Sequence, residues 1–480
     1  MSTILSTLEP KAVFHYFAEL AAIPHGSGNT AAASAWAMDF AKAHDLPCRQ
    51  DEAGNVVIWK KASPGYEDHP AVILQGHLDM VCVSDSGVDH DFTRDPLELV
   101  VEDGFVKARG TTLGGDNGIA VAMAMAVLAD NTLVHPPIVA VFTTDEETGL
   151  LGANALDCSD LNAKLLLNLD SEDEGVLTVS CAGGARCDIQ GQLPQEKAQG
   201  LRFTAMVHGL QGGHSGMEIN KGLANGNKLL GDLLHHLNNA APIRLISLLG
   251  GHQDNAIPKE STAVFLADSS SEEAIRAAAA SWLESARNAF PADPGLELTL
   301  SAEAGEAAAL SEADTWKLIA LLDAYPNGVL AMSRDIDGLV ETSLNLGILR
   351  LEDGAYMLSS SIRSSVAQAK ADLAQSLRDL AERFGAQYGQ RGDYPAWEFK
   401  KDSPLRETMI RVFREQYGRE PVVEAIHAGL ECGLFAGKIP GLDAVSFGPD
   451  LRDVHSPRER MDIASVARTW TYLLGILAAL

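Results

Sequence analysis

The sequence predicts an α/β protein with a mainly parallel sheet, interrupted by an inserted α+β domain. Apolar, β-branched runs alternate with helix-like segments in the first part of the chain, which is typical of strands buried on both faces. From about residue 184 the pattern changes to strands of alternating polarity and amphipathic helices. A chain of 480 residues is also too long for one ordinary core, so two domains are expected.

The elements of the first domain follow from hydrophobic periodicity and turn residues. In chain order they are two helices within 9–46, strands at 54–59 and 71–75, a buried alanine-rich helix at 119–128, and strands that begin at 138 and 165. The pattern resumes near the end of the chain with a helix at 404–417, a strand at 444–447 and a helix at 462–480. Residues 1–183 and 395–480 are therefore assigned to one domain.

The inserted domain is assigned to residues 184–394. Its clearest predicted elements are strands at 201–207 and 356–362 and helices at 220–237 and 271–290. The glycine-rich stretch 385–395 is interpreted as a linker that returns the chain to the first domain.

Charge and composition exclude several classes of protein. The 37 Lys and Arg against 65 Asp and Glu give a net charge of −28, which argues against a nucleic-acid partner. The start of the chain has no basic region followed by an apolar one, and the longest apolar run, 119–129, is too short for a bilayer. No membrane partner and a cytoplasmic location are expected. The six cysteines contain no C-x-x-C pair and are expected to be reduced.

Histidines and carboxylates follow the predicted strands. His77 and Asp79 come directly after the strand at 71–75, and alternation along an extended chain would let Asp79 accept the second N–H of His77. Each acidic residue has an ordinary alternative: Asp116 as a helix N-cap, Glu146 and Glu147 as a solvated turn, and Asp170 as the start of an acidic loop. Taken alone, His77 is more often a structural histidine than a ligand.

Several histidines and carboxylates are expected at one edge of the sheet. This favours a metal site over an ordinary structural role for each residue. Ligands of parallel sheets bind outside the carboxyl ends of the strands, where His77, Glu146, Glu147 and Asp170 are expected. His455 follows a later strand in a proline-bounded loop. Two histidines and three carboxylates suit a pair of divalent ions that share one carboxylate, with zinc the most natural metal.

These residues also carry a family resemblance. The segments 76–79, 114–118 and 144–149, with Asp170 and His455, resemble the motifs of the co-catalytic zinc peptidases that include carboxypeptidase G, peptidase T, aminoacylase and carnosinase. Within that family, the segments 179–184, 213–216, 341–345 and 427–433 resemble the aminoacyl-histidine (Xaa-His) dipeptidase branch. The resemblance runs from near the start of the chain to the last helix, and it implies a zinc-exopeptidase-like catalytic domain with an inserted lid or dimerisation domain.

The resemblance implies a role for each candidate residue of the first domain. One metal would be held by His77, Asp116 and Asp170, and the other by Asp116, Glu147 and His455. Asp79 would orient His77, and Glu146 would act as general base. The metals would be two divalent ions, most naturally Zn²⁺, with Co²⁺ or Mn²⁺ as alternatives.

Further roles are implied for substrate recognition. His214 resembles a lid histidine that stabilises the oxyanion, and Arg363 resembles an arginine that binds the substrate carboxylate. Asn255 and Glu431 are candidate substrate contacts, each with a plain turn or helix residue as the alternative. A homodimer through the inserted domain stays open, as does an enlarged lid that replaces a partner.

The function expected from these motifs is hydrolysis of Xaa-His dipeptides, β-alanyl-histidine included, by a dinuclear metallopeptidase. A deacylase of N-acyl amino acids or a broader exopeptidase of the same fold is the alternative. A relative that binds peptides without cleaving them is a third hypothesis, disfavoured because no position of the implied site is missing.

Overall fold

A computed structural model describes residues 3–480 of the chain. The chain forms two compact units: the first runs to Cys181 and takes in Phe399–Ala425 and Leu430–Leu480, and the second is Ala182–Glu398 with Ile426–Gly429. The sequence pattern placed the boundaries at 183/184 and 394/395, and it did not place the short segment 426–429 in the second unit. The catalytic and lid roles of the two domains stay predictions.

The α-helices are numbered here in chain order. They are α1 (Lys11–Ala21), α2 (Ala31–Ala43), α3 (Gly115–Ala129), α4 (Leu151–Ala155), α5 (Gly226–Ala240), α6 (Glu272–Ala289), α7 (Glu312–Ala324), α8 (Ala367–Arg383), α9 (Pro404–Tyr417), α10 (Glu431–Lys438) and α11 (Ile463–Ala479). Short 3-10 turns lie at Thr3–Leu5 and Ser269–Ser271. Within residues 3–480, no helix is long and apolar enough to cross a membrane.

The strands are numbered in the same way. They are β1 (Cys48–Gln50), β2 (Val56–Lys60), β3 (Val72–His77), β4 (Leu99–Glu102), β5 (Phe105–Ala108), β6 (Ile138–Thr143), β7 (Leu165–Asn168), β8 (Val176–Cys181), β9 (Gly183–Gln192), β10 (Gln195–His208), β11 (Gly213–His214), β12 (Ile243–Gly250), β13 (Ala256–Ile257), β14 (Ser261–Ala267), β15 (Glu297–Leu310), β16 (Gly328–Met332), β17 (Val340–Glu352), β18 (Ala355–Ser364), β19 (Gln387–Tyr394), β20 (Val422–Ile426), β21 (Asp443–Ser446), β22 (Leu451–Arg452) and β23 (Arg460–Asp462).

The main sheet of the first unit has the strand order β1-β2-β6-β3-β7-β21-β8-β20. Strands β6, β3, β7 and β21 pair in parallel, whereas β1, β2 and β8 join antiparallel. The central strands β3 and β6 are buried at every residue, as their continuous apolar runs predict. The predicted α/β class is confirmed, and the parallel pairing lies in the four central strands. These four strands end at the same edge of the sheet, which therefore collects the residues that follow them.

Helix α3 forms the centre of the core in the first unit. It is buried at nearly every position after its first turn, because alanines let it pack closely against α1 and β3. Its first residues are not helical: Asp116 has φ −83° and ψ 104°. A smaller antiparallel sheet, β22-β23-β5-β4, lies in the same unit, and β23 leads directly into α11.

The second unit contains a nine-stranded sheet of order β15-β10-β14-β12-β17-β18-β9-β19, with β16 paired to β17. The pairings given for it are antiparallel. Helices α5, α6 and α7 pack around β10, β12, β14, β15 and β17, and α8 packs on β9, β18 and β19. A separate two-residue ribbon pairs β11 with β13 and places His214 opposite Ala256.

Two predicted elements of this unit are wrong in detail. The stretch predicted as a return linker contains β19, an edge strand paired to β9. Glycine weakens a strand because it is flexible and has no side chain to pack, but it keeps both backbone hydrogen-bonding groups and can pair with β9. The helix predicted from residue 220 begins at Gly226, because the Asn225 side chain caps it by accepting from the backbone N–H groups of Asn227 and Lys228.

Candidate metal centre

The first candidate ligand, His77, is the last residue of β3 and is buried. Its Nδ1 lies 2.9 Å from the backbone carbonyl of Asp79, which leaves Nε2 to face the other candidate ligands. The preceding Gly76 has no room for a side chain, since a Cβ atom would lie 2.5 Å from Oδ1 of Asn117 and 2.6 Å from Cβ of Ala120. The glycine before the histidine is therefore required by packing.

Asp79 contacts His77 through two oxygens, its backbone carbonyl and its carboxylate. The nearest oxygen to Nδ1 of His77 is the Asp79 carbonyl, whereas the carboxylate Oδ1 lies 3.4 Å away. That carboxylate accepts hydrogen bonds from the backbone N–H groups of Glu146, at 3.0 Å, and Glu147, at 3.3 Å, and from the Ser27 hydroxyl at 2.8 Å. The Asp79 side chain thus anchors the loop that carries the two glutamates.

Asp116 lies between the two histidines. Its Oδ1 is 3.2 Å from Nε2 of His77, and its Oδ2 is 3.2 Å from Nε2 of His455. Asp170, two residues beyond the end of β7, places Oδ1 3.7 Å from Nε2 of His77. A carboxylate with one oxygen toward each histidine has the geometry of a bridging ligand.

Glu147 and His455 complete the cluster. Oε1 of Glu147 lies 2.8 Å from Nε2 of His455. His455 has φ +58°, and Asp145, just before the glutamates, has φ +53°. Left-handed backbone at residues other than glycine is uncommon and concentrates at functional sites, where surrounding contacts hold it in place.

The ligand atoms of the candidate residues fall into three overlapping groups, each within 4.8 Å: His77 with Asp116 and Asp170; Asp116 with Glu147 and His455; and His77 with Glu146 and Glu147. The first two groups have the composition implied for the two metals. The third places ligand atoms of both Glu146 and Glu147 within 4.8 Å of His77, so the division of roles between the two glutamates stays a prediction.

The electrostatics of the cluster are set by burial and by the excess of acids. Burial raises the pKa of Glu146 to about 8, against the opposing charge of His77. Burial also raises the pKa of Asp116, but hydrogen bonds from His455 and His77 outweigh it and leave that pKa below its ordinary value. Hydrogen bonds to Asp116 and Glu147 raise the pKa of His455 to about 11.

The same charges act on the two remaining buried groups. Burial lowers the pKa of His77, but hydrogen bonds to Asp116 and Asp79 outweigh it, so the pKa lies well above its ordinary value. Burial raises the pKa of Asp170 well above its ordinary range. The acids outnumber the histidines that could neutralise them, which is an arrangement that divalent cations fit. Imidazole and carboxylate donors suit zinc and similar metals.

Two supporting residues were given no role from the sequence, although Asn117 lies within the motif segment 114–118. The Asn117 side chain accepts from the backbone N–H of His77 at 3.2 Å and donates to the carbonyl of Leu169 at 2.8 Å, so it ties Asp116 to the ends of β3 and β7. Glu459 accepts from the backbone N–H groups that precede and include that of Asp116. Their partners are backbone groups distant in sequence, so no local pattern could have identified them.

Glu431, a predicted substrate contact, is fully buried at the start of α10. Its Oε2 accepts from the Gln75 amide and, at 2.7 Å, from the Thr143 hydroxyl, and Gln75 in turn accepts from Asn168. Oε1 is buried with no hydrogen-bond partner among residues 3–480. The carboxylate thus joins a polar network across β3, β6 and β7, and burial raises its pKa to about 7.

Two candidate residues of the second unit, His214 and Arg363, lie close together. Nδ1 of His214 accepts from the backbone N–H groups of Gly216, at 3.3 Å, and Met217, at 3.1 Å, so the ring proton lies on Nε2. Arg363 on β18 donates from Nη1 to the Tyr394 hydroxyl at 3.0 Å, and its Nε is buried with no partner among the described residues. A Cβ on Gly216 would lie 3.1 Å from His214 Cε1 and 3.3 Å from Arg363 Nε, which places the two side chains beside one glycine.

His427 joins these residues, although the sequence marked it only as part of a motif. Its Nε2 is 2.7 Å from the Ser343 hydroxyl, and burial, with the charge of Arg363, lowers its pKa to about 4. Its carbonyl would be 2.5 Å from a Cβ on Gly216. Asn255 precedes the strand paired with His214, and its side chain is exposed. The roles of Asn255 and Glu431 as substrate contacts stay predictions.

Imidazoles and carboxylates grouped at the carboxyl edge of a parallel sheet are the donor set of a metal-dependent hydrolase. Comparison with known proteins identifies the family: residues 73–479 match the model of peptidase family M20/M25/M40, and the chain belongs to this family. It is therefore a peptidase, and the predicted family resemblance is confirmed.

Individual relatives agree with this assignment. The chain is 37% identical over 476 residues to the cytosol non-specific dipeptidase of Escherichia coli (strain K12), covering 98% of each protein. The crystal structure of aminoacylhistidine dipeptidase from Vibrio alginolyticus superposes with a TM-score of 0.94 at 35% identity, covering 100% of this chain and 99% of that one. Aminopeptidase PepT from Bacillus cereus ATCC 10987, at 14% identity, 98% and 99% coverage and a TM-score of 0.55, shows the common fold.

Proposed function

We propose that this protein is a metal-dependent dipeptidase that hydrolyses unblocked dipeptides, those with a C-terminal histidine and β-alanyl-histidine included. The observation that carries the proposal is that the ligand atoms of His77, Asp116 and Asp170 lie within 4.8 Å of one another, as do those of Asp116, Glu147 and His455. The names of the Escherichia coli and Vibrio alginolyticus relatives support a dipeptide substrate.

Two divalent ions, zinc in the first instance, would be held by His77, Asp116 and Asp170 and by Asp116, Glu147 and His455. When bound, such ions supply Lewis acidity for a peptide carbonyl and for a water molecule. Glu146 takes the proton of the attacking water and returns it to the leaving amine. Its backbone N–H bond to Asp79 fixes the position of the loop from which it acts.

Substrate recognition is proposed for the second unit. The Nε2–H of His214 is free to donate to the oxyanion, because the other ring nitrogen already accepts two backbone N–H groups. The Arg363 guanidinium binds the C-terminal carboxylate of the dipeptide, for which its fork of donors is suited. Its unpartnered Nε supports this role.

The test compares matched substrates with the purified, metal-loaded protein. Ala-His and β-alanyl-histidine are assayed beside Ala-Leu, N-acetyl-Ala-His and N-acetyl-histidine, each with and without a chelator. We expect turnover of the free dipeptides, its loss on chelation, and little turnover of the acetylated compounds. A matched Glu146→Gln variant controls for contaminating peptidases.

The alternatives give different results in the same assay. Turnover of N-acetyl-histidine without turnover of any free dipeptide would identify a deacylase of N-acyl amino acids. Equal rates for Ala-Leu and Ala-His would show that the dipeptidase does not select a C-terminal histidine, in line with the name of the Escherichia coli relative. Absence of turnover with both metal sites loaded would indicate a non-catalytic relative.

A cytosolic location is proposed as well, supported by the name of the Escherichia coli relative. Assembly into a homodimer stays a prediction, and analytical ultracentrifugation of the metal-loaded protein would measure it.

A further inference from the structure

The carboxylate of Glu459 binds four successive backbone N–H groups. Its Oε2 accepts from Leu113 at 2.7 Å and Gly114 at 3.2 Å, and its Oε1 accepts from Gly115 at 2.8 Å and Asp116 at 3.3 Å. Each oxygen therefore accepts two hydrogen bonds. A concave run of consecutive amides is an anion-binding arrangement, and here a side chain of the same protein occupies it.

This carboxylate is buried and has no cationic partner. Glu459 is 3% exposed, and within residues 3–480 no Lys, Arg or His forms an ion pair with it. A buried carboxylate is stable only where donors compensate for lost hydration, and the four amides do so here. Gly114 has φ +65°, and a Cβ on Gly115 would lie 3.2 Å from Oε1 of Glu459. The two glycines shape the segment around this carboxylate.

Glu459 also fixes the loop of a second ligand. It lies four residues after His455, and its own N–H donates to the carbonyl of Ser456 at 3.0 Å. The carboxylate thus joins the loop that presents His455 to the segment that presents Asp116, although these ligands are 339 residues apart. On the other side, Asn117 holds the same segment to His77 and Leu169.

We propose that Glu459 is a positioning residue of the metal centre: it sets the place of Asp116 relative to His455 and so sets the affinity for the ion that both would hold. The inference rests on the proposed metal centre. Glu459 touches neither substrate nor reacting atoms in this role. It acts through the backbone of Asp116. Its loss should therefore lower the affinity for the metal ion and leave kcat of the metal-saturated enzyme close to wild type.

The first test is Glu459→Gln in the full-length protein, with Zn²⁺ binding measured by competition with a chelating dye. The amide group of glutamine is a donor where one carboxylate oxygen now accepts two N–H groups, so either orientation loses two of the four hydrogen bonds. We expect affinity for one of two Zn²⁺ ions to fall by about 10- to 100-fold, the usual range for residues that orient ligands. The kcat value should return toward wild type at saturating Zn²⁺.

Asp443→Asn is the matched control. Asp443 is a buried carboxylate in the same unit, and it accepts from the Ser403 hydroxyl at 2.6 Å and the Leu405 N–H at 3.2 Å. It lies at the start of β21, opposite the first residue of β7, and hence at the end of the sheet away from Asp170. The change should lower the unfolding midpoint without changing Zn²⁺ affinity.

A gentler variant covers the case in which Glu459→Gln does not fold. Gly115→Ala adds one methyl group against Oε1 of Glu459 and keeps the carboxylates of Glu459 and Asp116. We expect it to fold and to bind one Zn²⁺ ion several-fold more weakly. Wild-type affinity for both ions in Gly115→Ala, or in a folded Glu459→Gln protein, would overturn the proposal. If the wild-type protein itself bound no divalent metal, the proposed function would fail instead, so the two failures are distinguishable.

Discussion

Nε2 of His77 lies 3.2 Å from Oδ1 of Asp116, a distance that a shared proton spans and that a metal ion could also bridge. Hydrogen bonds to Asp116 and Asp79 outweigh burial and raise the pKa of His77 well above its ordinary value, which favours a proton at this contact. The pair of His455 with Asp116 is of the same kind, on the opposite oxygen. Protons and metal ions therefore compete for the same atoms.

Zn²⁺ binding to the metal-free protein at pH 7 should release protons. The histidines must be neutral to act as ligands, whereas the pKa of His455 lies at about 11 without metal. We expect release of about two protons from the two histidines, with a further contribution from Asp170, whose pKa burial raises, and an affinity that falls as the pH is lowered. Calorimetry in two buffers of different ionisation enthalpy measures the number. His455→Ala should release one proton fewer, and a binding heat independent of buffer would contradict the prediction.

Glu146 and Glu147 should separate by mutation. Glu146→Ala should retain two metal ions and lose roughly 10²- to 10⁴-fold in kcat, the contribution typical of a general base. Glu147→Ala should lose metal, because its Oε1 lies with Asp116 and His455 in one ligand group. Metal analysis together with kcat checks both variants. An empty site in Glu146→Ala beside a fully loaded Glu147→Ala would reverse the assignment.

Removal of the Glu431 carboxylate should destabilise the first unit. Glu431→Ala would remove the carboxylate that accepts from the buried Gln75 amide and Thr143 hydroxyl. The amide would keep only a 3.3 Å contact to the Thr143 hydroxyl, and the hydroxyl a 3.5 Å contact to the Gly76 carbonyl, so we expect a cost of about 1–3 kcal/mol. Glu431→Gln keeps an acceptor oxygen and should lie closer to wild type. Urea unfolding of the metal-free proteins measures the difference. A stable Glu431→Gln protein with a strongly raised KM would instead support direct contact with the substrate.

Arg363 can be tested through the substrate carboxylate. Arg363→Met should lower kcat/KM for Ala-His by about 10- to 100-fold, the loss of a hydrogen bond to a charged group. Ala-His amide, which lacks the carboxylate, should be affected much less by the same change. Tyr394→Phe removes the hydroxyl that Arg363 contacts while keeping the guanidinium, and it serves as the control. An equal loss on both substrates would contradict carboxylate binding.

Lys228 should make the stability of the second unit depend on pH. Its Nζ donates to the carbonyls of Leu322 and Tyr325 at the end of α7, and burial lowers its pKa from 10.5 to about 8. Between these values the unfolded chain binds more protons than the folded one, so the free energy of unfolding rises with pH from about 8 to 10.5.

Lys228→Met tests this dependence because it removes the titrating group and keeps a chain of similar length. The difference in unfolding midpoint between wild type and Lys228→Met should shift in favour of wild type across that window. A constant difference between pH 8 and 10.5 would show that Lys228 keeps an ordinary pKa in the folded state.

Site residues that directly follow a strand could be predicted from the sequence. Residues whose role depends on hydrogen bonds to distant backbone groups could not. His77 and Asp170 were recognisable because each closes an apolar strand, and the central strands bring them together. Glu459 and Asn117 bind backbone N–H and carbonyl groups. Nearly every residue has these groups, so the partners cannot be recognised from the residue types in the sequence. The carboxylate of Asp79 lies 3.4 Å from Nδ1 of His77 and also accepts from the loop amides, whereas the backbone carbonyl makes a nearer contact, at 2.9 Å, that the sequence did not indicate.

Secondary structure shows the same limit. Strand β19 was predicted as a linker because its glycines suit turns, and only the presence of β9 beside it makes it a strand. The start of α5 depended on the side chain of Asn225, one polar residue in a run of several.

The link between Glu459 and the segment around Asp116 also determines when the metal centre can be completed during synthesis of the chain. His455 and Glu459 leave the ribosome long after Asp116, since 339 residues separate the two ligands. Until they arrive, the group formed by Asp116, Glu147 and His455 lacks one member, whereas the other two groups lie wholly within the first 170 residues. Loading of a second ion would then report that the late segment has docked, and a metal-sensitive protease assay on ribosome-bound chains would reveal the moment at which it does.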